Sequence, residues 1–138
     1  MKREDLAGKI RERIIDADKE LAIEAFESLR RSVGNFYRNE IGLEGDYADL
    51  SYGSTLRQYS ELKFKKNILD IRLDQQNKKI VIRKITNPKH EHQERKEKVL
   101  DEIVAKKGEL SCKDGEFKIE EVDEYLSQSF AELIKEND

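Results

Sequence analysis

The stretch 56–86 constrains the fold more than any other part of this chain, because its apolar and charged residues alternate with a period of two. Successive side chains of a strand point to opposite faces of the sheet. Leu62 and Phe64 therefore belong to one face, and Lys63 and Lys65 to the other. This alternation predicts a strand with one apolar and one charged face.

The same pattern continues after a short polar break. Leu69 and Ile71 fall on one face, and Asp70 and Arg72 on the other. A third run ends before Pro88, because the residue ahead of a proline is disfavoured in helical geometry. Tight turns are expected at residues 66–67 and 75–78, with Asn67 and Asn77 as the turn residues. The stretch predicts a three-stranded antiparallel meander whose apolar face must be covered by other elements.

The sequence before the meander repeats at helical spacing. Apolar residues three or four apart lie on one slowly drifting stripe and predict a long helix over residues 4–33. These residues are Leu6, Ile10, Ile14, Ala17, Leu21, Ala22, Phe26, Leu29 and Val33. Residues 44–55 show no sustained period and are expected to form a loop or an irregular lead-in to the sheet, in which Tyr47, Leu50 and Tyr52 contact the core.

Three further elements are expected after Pro88. Val99, Leu100, Ile103 and Val104 predict a second amphipathic helix that ends near Gly108. The Asp-Gly pair at residues 114–115 indicates a short hairpin over residues 109–117. A clean stripe at spacings of three and four predicts a C-terminal amphipathic helix over residues 119–133. The expected fold is a single α+β domain over residues 1–138, in the order α-βββ-α-ββ-α.

The charge of the chain is distributed unevenly. Residues 57–107 carry 15 Lys or Arg and 8 Asp or Glu, a net charge of +7. The remaining residues carry 12 and 22, a net charge of −10. Such an asymmetry points to interactions with charged partners or between copies of the chain.

Composition favours a folded protein of the cytoplasm. Leu, Ile, Val and Phe account for 36 of the 138 residues, enough for a core despite the 41% of charged residues. Cys112 is the only cysteine, so no internal disulfide can form, and a reducing compartment is expected. No run approaches the ~20 apolar residues of a membrane helix, and no secretory signal is visible at the start of the chain. We expect a small, soluble, cytoplasmic protein without membrane association.

The charged face of the meander is the first candidate binding surface. Lys63, Lys65, Arg72 and Arg83 are expected there as a basic patch that could contact phosphates or an acidic protein. By its α-βββ-α order alone, the chain resembles the double-stranded-RNA-binding domain, which implies RNA as a partner. The basic motif that opens the second helix in that family is absent, because this segment reads HEHQERKEK.

A second resemblance involves Gly53, Ser54 and Asp70. They are similar in outline to the nucleotidyltransferase signature, a Gly-Ser followed by Asp-x-Asp on a nearby strand. The resemblance implies that Gly53 and Ser54 lie against a triphosphate and that Asp70 holds a metal ion. Arg72 stands where the family has its second carboxylate, so this activity is the less favoured alternative.

No cofactor or metal is expected. The His90-Glu91-His92 segment beside Glu94 is interpreted as a solvated turn, because no other histidine and only one cysteine could complete a site. In general layout, a small acidic α+β chain with a final amphipathic helix also looks like secretion-type chaperones. We predict a non-catalytic protein that acts by binding another protein or itself, with nucleic-acid binding as the alternative. The predicted binding residues are Lys63, Lys65, Arg72, Arg83, Tyr47 and Tyr52.

Overall fold

A helix at each end of the chain packs on an antiparallel sheet. The structure, a computed structural model, describes residues 1–42, 48–52, 58–87 and 94–135, with the backbone alone for residues 48–52. Helix α1 spans Arg3–Asn35 and continues as a π-helical segment, Phe36–Ile41. Helix α2 spans Glu121–Lys135. The predicted α+β class and both terminal helices are confirmed.

The described residues between the helices form a sheet in which every strand pairs antiparallel with the next in the chain. The strands are β1 Ala48–Tyr52, β2 Tyr59–Phe64, β3 Asn67–Asp74, β4 Lys79–Thr86, β5 Lys96–Lys106, β6 Glu109–Cys112 and the two-residue β7 Gly115–Glu116. The sheet is one continuous meander, larger than the three strands that the sequence predicted.

The three central strands lie where the alternation placed them. The β3–β4 turn spans residues 75–78, as predicted, whereas the β2–β3 turn is shifted by one residue. Phe64 pairs with Asn67, so Asn67 belongs to β3 and the turn consists of Lys65 and Lys66. Lys65 adopts a positive φ of 54° and Lys78 one of 53°. Lysine, which seldom adopts this backbone conformation, thus takes the place expected for asparagine.

The helix predicted around residues 99–107 is wrong, because this segment is β5, the longest strand. Its apolar residues come in two adjacent pairs, a spacing that also fits a helix. The pairing of β4 with β5 shifts by one residue between Ile82 and Arg83, which leaves Leu100 as the extra residue of a bulge. The bulge interrupts the alternation, so that Leu100, Ile103 and Ala105 are all buried in an extended strand.

The loop predicted over residues 44–55 is also wrong in part. Ala48–Tyr52 forms β1, which pairs with the outer edge of β2 along its whole length. The sequence of β1 lacks a long alternation, and the backbone groups on the free edge of β2 supply its pairing partners. The tyrosine segment is thus partly an edge strand.

Both helices cover the same face of the sheet. The core joins Phe26, Leu29 and Val33 of α1 and Tyr125 and Phe130 of α2 to that face. The strand residues of this core are Leu62, Phe64, Leu69, Ile71, Ile80, Ile82, Leu100 and Ile103. The opposite side, called here the second face, carries the charged half of the alternation.

Helix α1 is fixed to the sheet by a buried carboxylate. Asp18 accepts hydrogen bonds from the backbone N–H groups of Lys107, at 3.0 Å, and Gly108, at 2.8 Å. These two residues form the turn between β5 and β6, and both have positive φ angles. Within the described residues, neither helix is long and apolar enough to span a membrane.

Candidate functional site

A cluster of acids and arginines occupies the second face at its centre. The strand register aligns Glu61 of β2, Asp70 of β3 and Arg83 of β4 as direct neighbours. Arg72 follows two residues after Asp70 and therefore projects from the same face. Period-two alternation and antiparallel pairing are enough to bring these four side chains together.

Asp70 is the centre of this cluster and has no exposed surface. The Arg72 Nε atom donates to both carboxylate oxygens, at 3.2 and 3.1 Å, and the Arg83 Nε atom lies 3.4 Å from Oδ2. The sequence predicted that Asp70 would be on an exposed face, and it is indeed on the second face. It is buried there because the two long arginine side chains lie against it, and a buried carboxylate needs such partners.

Glu61 brings a second carboxylate into contact with Asp70. Burial raises the pKa of Glu61, and so do the hydrogen bond to Asp70 and the negative charge of Asp70. The Arg72 guanidinium, 3.5 Å from Glu61, acts in the opposite direction. Two adjacent carboxylates favour the retention of a proton by one of them.

The charges continue toward β5 and remain balanced. The Arg83 Nη1 atom lies 3.6 Å from Glu97, which also lies 3.3 Å from the Arg95 Nε atom. The cluster thus combines three arginines with three carboxylates. A balanced cluster gives a weaker attraction for polyanions than four unpaired basic residues would.

Arg72 is the most solvent-accessible part of the cluster centre, with half of its side chain exposed. Its guanidinium carbon lies 5.8 Å from the centre of the Tyr59 ring, a cation–π contact. Arg72 and Arg83 also border an open groove of about 500 Å³ beside the β3–β4 turn. In that turn Asp74 accepts two hydrogen bonds from Asn77, which lower the pKa of Asp74.

The other predicted binding residues are spread around this cluster. Lys63 is exposed on the second face, whereas exposed Lys65 lies in the β2–β3 turn and not within a strand. Tyr52 ends β1, where its backbone pairs with Ser60, and its side chain is outside the described part. Tyr47 lies outside the described residues. Among the predicted binding residues whose side chains are described, Arg72 and Arg83 lie together around Asp70, and Lys63 and Lys65 do not belong to that cluster.

The residues of the nucleotidyltransferase resemblance are only partly described. Asp70 is bound by two arginines, whereas Gly53 and Ser54 lie outside the described residues. The His90-Glu91-His92 segment also lies outside them. Across the described residues no group of three or more His, Cys, Asp or Glu converges as a metal site. Cys112 is half-buried, and burial raises the pKa of its thiol.

A second candidate surface lies on α1, where the sequence predicted a helix with an apolar stripe but no binding surface. Leu6, Ile10 and Ile14 expose 49%, 51% and 51% of their surface. Together with exposed Ala17 they form what we call the α1 stripe, on one side of the helix. Residues 1–17, all of them described, are exposed apart from half-buried Gly8.

The exposure follows from the length of α1 relative to the sheet. Asp18 is the first buried residue of the helix, so residues 3–17 extend past the body for ~22 Å at 1.5 Å per residue. The drift of the apolar stripe, visible in the sequence, was the available signal. At ~100° per residue, the α1 stripe is centred roughly 100° away from the side that Ala22, Ala25 and Leu29 bury.

Comparisons of the chain with protein-family models, with curated proteins and with solved structures find no significant match.

Proposed function

We propose that this chain is a non-catalytic protein-binding module and that its docking surface is the α1 stripe. The observation that carries the proposal is the exposure of three large aliphatic residues on a helical segment that projects from the body. Isolated exposed apolar residues are common, but a contiguous apolar stripe on a helix is typical of a surface that binds another helix or a groove. The proposed role is the one predicted from the sequence, a binding protein, but the proposed binding surface is the α1 stripe and not the second face.

The charge distribution of the second face supports the choice of α1. A phosphate-binding face needs basic groups that are not already neutralised. Arg72 and Arg83, two of the four predicted basic residues, are within ion-pair distance of Asp70, which reduces their attraction for a polyanion. The same pairing makes Asp70 a poor metal ligand and weighs against the nucleotidyltransferase alternative.

The test compares substitutions of two isoleucines that lie on different sides of α1. Ile10 belongs to the α1 stripe, whereas Ile15, 42% exposed, lies ~140° around the helix from the stripe centre. The wild-type chain, Ile10→Asp and Ile15→Asp are immobilised, and proteins retained from a lysate of the source organism are quantified. Circular dichroism confirms that each variant keeps its helix.

We expect that the proteins retained by the wild type are also retained by Ile15→Asp and are lost from Ile10→Asp. The same result is expected for soluble copies of this chain added to the lysate. Equal retention by all three chains would show that the α1 stripe is not the docking surface. Retention by none of them would contradict the proposed binding function itself.

Nucleic-acid binding remains the second candidate because Lys63 and Lys65 are exposed. Fluorescence anisotropy with duplex DNA, duplex RNA and single strands at ~50 and ~200 mM salt tests it. The balanced cluster leads us to expect no strong, salt-sensitive binding. Binding that falls by orders of magnitude with salt, and that is lost in the Lys63→Glu, Lys65→Glu double variant, would favour this candidate instead.

A further inference from the structure

We infer that the occupant of the α1 stripe is a second copy of this chain, with the two α1 helices packed antiparallel. This inference rests on the proposed function and specifies the partner. It is carried by the charged residues beside the stripe. When two copies of the helix run in opposite directions, the basic residues of one copy lie opposite the acidic residues of the other.

The charge on one flank of the stripe changes from positive to negative along the helix. Four charged residues share this flank, roughly 55° to 115° around the helix from the stripe centre: Lys9, Arg13, Asp16 and Glu20. The basic pair occupies the N-terminal side of residue 15 and the acidic pair the C-terminal side. All four residues are exposed.

These four residues have no ion-pair partner in the described part of their own chain. Neither the salt bridges nor the other side-chain contacts of the described residues include them. Arg30 and Glu27 on the same helix, in contrast, form an i, i+3 pair at 2.6 Å. The flanking charges are therefore available to a partner.

An antiparallel pair satisfies both the apolar stripe and this flank. Ala7, Ile10, Ile14, Ala17 and Leu21 follow the alternating three- and four-residue spacing of a helix-pair interface. When the helices cross between Ile14 and Ala17, Ile14 of each copy meets Ala17 of the other, and Ile10 meets Leu21. A two-fold axis at this point brings like flanks together, so Arg13 of each copy faces Glu20 of the other copy.

A parallel pair does not satisfy these charges. In that arrangement each flank faces the opposite flank of the second copy. The acidic residue in reach of Arg13 would be Asp18, which is buried and already accepts the N–H groups of Lys107 and Gly108. Glu20 would have no basic counterpart. The charges of this flank thus favour the antiparallel arrangement.

Sedimentation of the full chain over ~5–500 µM, at low salt, tests self-association. We expect a concentration-dependent dimer whose dissociation constant rises by at least ~10-fold in Ile10→Asp and is unchanged in Ile15→Asp. A chain that is monomeric over the whole range would overturn the inference. The capture experiment then decides separately whether the α1 stripe binds a different protein.

A charge swap tests the direction of the helices. Arg13→Glu replaces two symmetry-related attractions by two repulsions, so we expect a dissociation constant higher by on the order of 10-fold. The double variant Arg13→Glu, Glu20→Arg exchanges the two charges and should return it to the wild-type value. The antiparallel pairing would be overturned if Arg13→Glu left the dissociation constant unchanged, or if the double variant failed to return it to the wild-type value.

A distance measurement gives an independent readout. Spin labels at Lys2→Cys, in a Cys112→Ser background, should lie about 40 Å apart in the antiparallel dimer and about 15 Å apart in a parallel one. Cys112→Ser removes the only other cysteine of the chain. The short distance would contradict the inference even if a dimer forms.

Discussion

The Tyr125 hydroxyl donates a 2.5 Å hydrogen bond to the Asp101 carboxylate inside the core, and this contact joins α2 to β5. Asp101 is 3% exposed and also accepts the backbone N–H groups of Glu102, at 2.8 Å, and Lys113, at 2.9 Å. Lys113 lies in the β6–β7 turn. One buried carboxylate thus connects the long strand, the terminal hairpin and the C-terminal helix.

Tyr125→Phe should lower the free energy of unfolding by ~1–3 kcal/mol, because it removes a hydrogen-bond donor from a buried carboxylate. Urea unfolding followed by circular dichroism measures the change. Tyr59→Phe is the control, since among the described contacts the Tyr59 ring meets Arg72 and its hydroxyl forms no hydrogen bond. Similar losses in the two variants would contradict the role assigned to the Tyr125 hydroxyl.

Asp18→Ala should destabilise the fold by ~2 kcal/mol, because the N–H groups of Lys107 and Gly108 would lose their acceptors. Asp18→Asn keeps one acceptor oxygen and should lose about half as much. Urea unfolding compares both with Glu12→Ala, which alters an exposed carboxylate of the same helix. If Asp18→Ala is as stable as Glu12→Ala, Asp18 does not anchor α1.

The chain offers two glycines for which alanine should have opposite effects. Gly108 has a φ of +77°, which alanine adopts only with strain, so Gly108→Ala should cost ~1 kcal/mol. Gly8 lies within α1 with no atom near an added Cβ, so Gly8→Ala should gain ~0.5–1 kcal/mol from helix propensity. Thermal unfolding at one protein concentration compares them. Changes of the same sign would contradict the assigned backbone conformations.

Glu61→Gln should make stability less dependent on pH. The pKa of Glu61 is raised above its usual 4.5, so folding favours the protonated form. The stabilisation from this group is complete below about 4.5 and is lost as pH rises through the folded-state pKa. Urea unfolding between pH 4 and 7 should show the stability of Glu61→Gln increasing relative to wild type as pH rises. A constant or declining difference would mean that burial and the neighbouring Asp70 do not raise the pKa of Glu61 in the folded state.

Local sequence patterns predicted those elements in which the apolar residues repeat with a single period, and these make up much of the fold. The alternation of Leu62, Phe64, Leu69 and Ile71 identified the central strands and the face that the helices cover. The pattern failed at β5, because the bulge at Leu100 depends on the pairing with β4, and β4 lies 10 or more residues earlier in the chain. A bulge interrupts the alternation without leaving a turn residue that marks it.

The candidate sites were predictable only in part. Arg72 and Arg83 were expected on one face, and they do lie there. The sequence did not show that Asp70 would be buried between them, since this depends on the register of three strands. The α1 stripe was visible as a pattern, but its exposure was not.

The sequence by itself determined the α+β class, the two terminal helices, the three central strands and the apolar side of each of these, because they follow from short-range periodicity. The tertiary structure decided which apolar sides are covered and which charges are paired. Leu6 and Leu29 belong to the same predicted stripe, yet one is 49% exposed and the other fully buried. The physical reason is that periodicity records which side of a helix is apolar, whereas burial requires a second layer, and the sheet ends before it reaches the first half of α1.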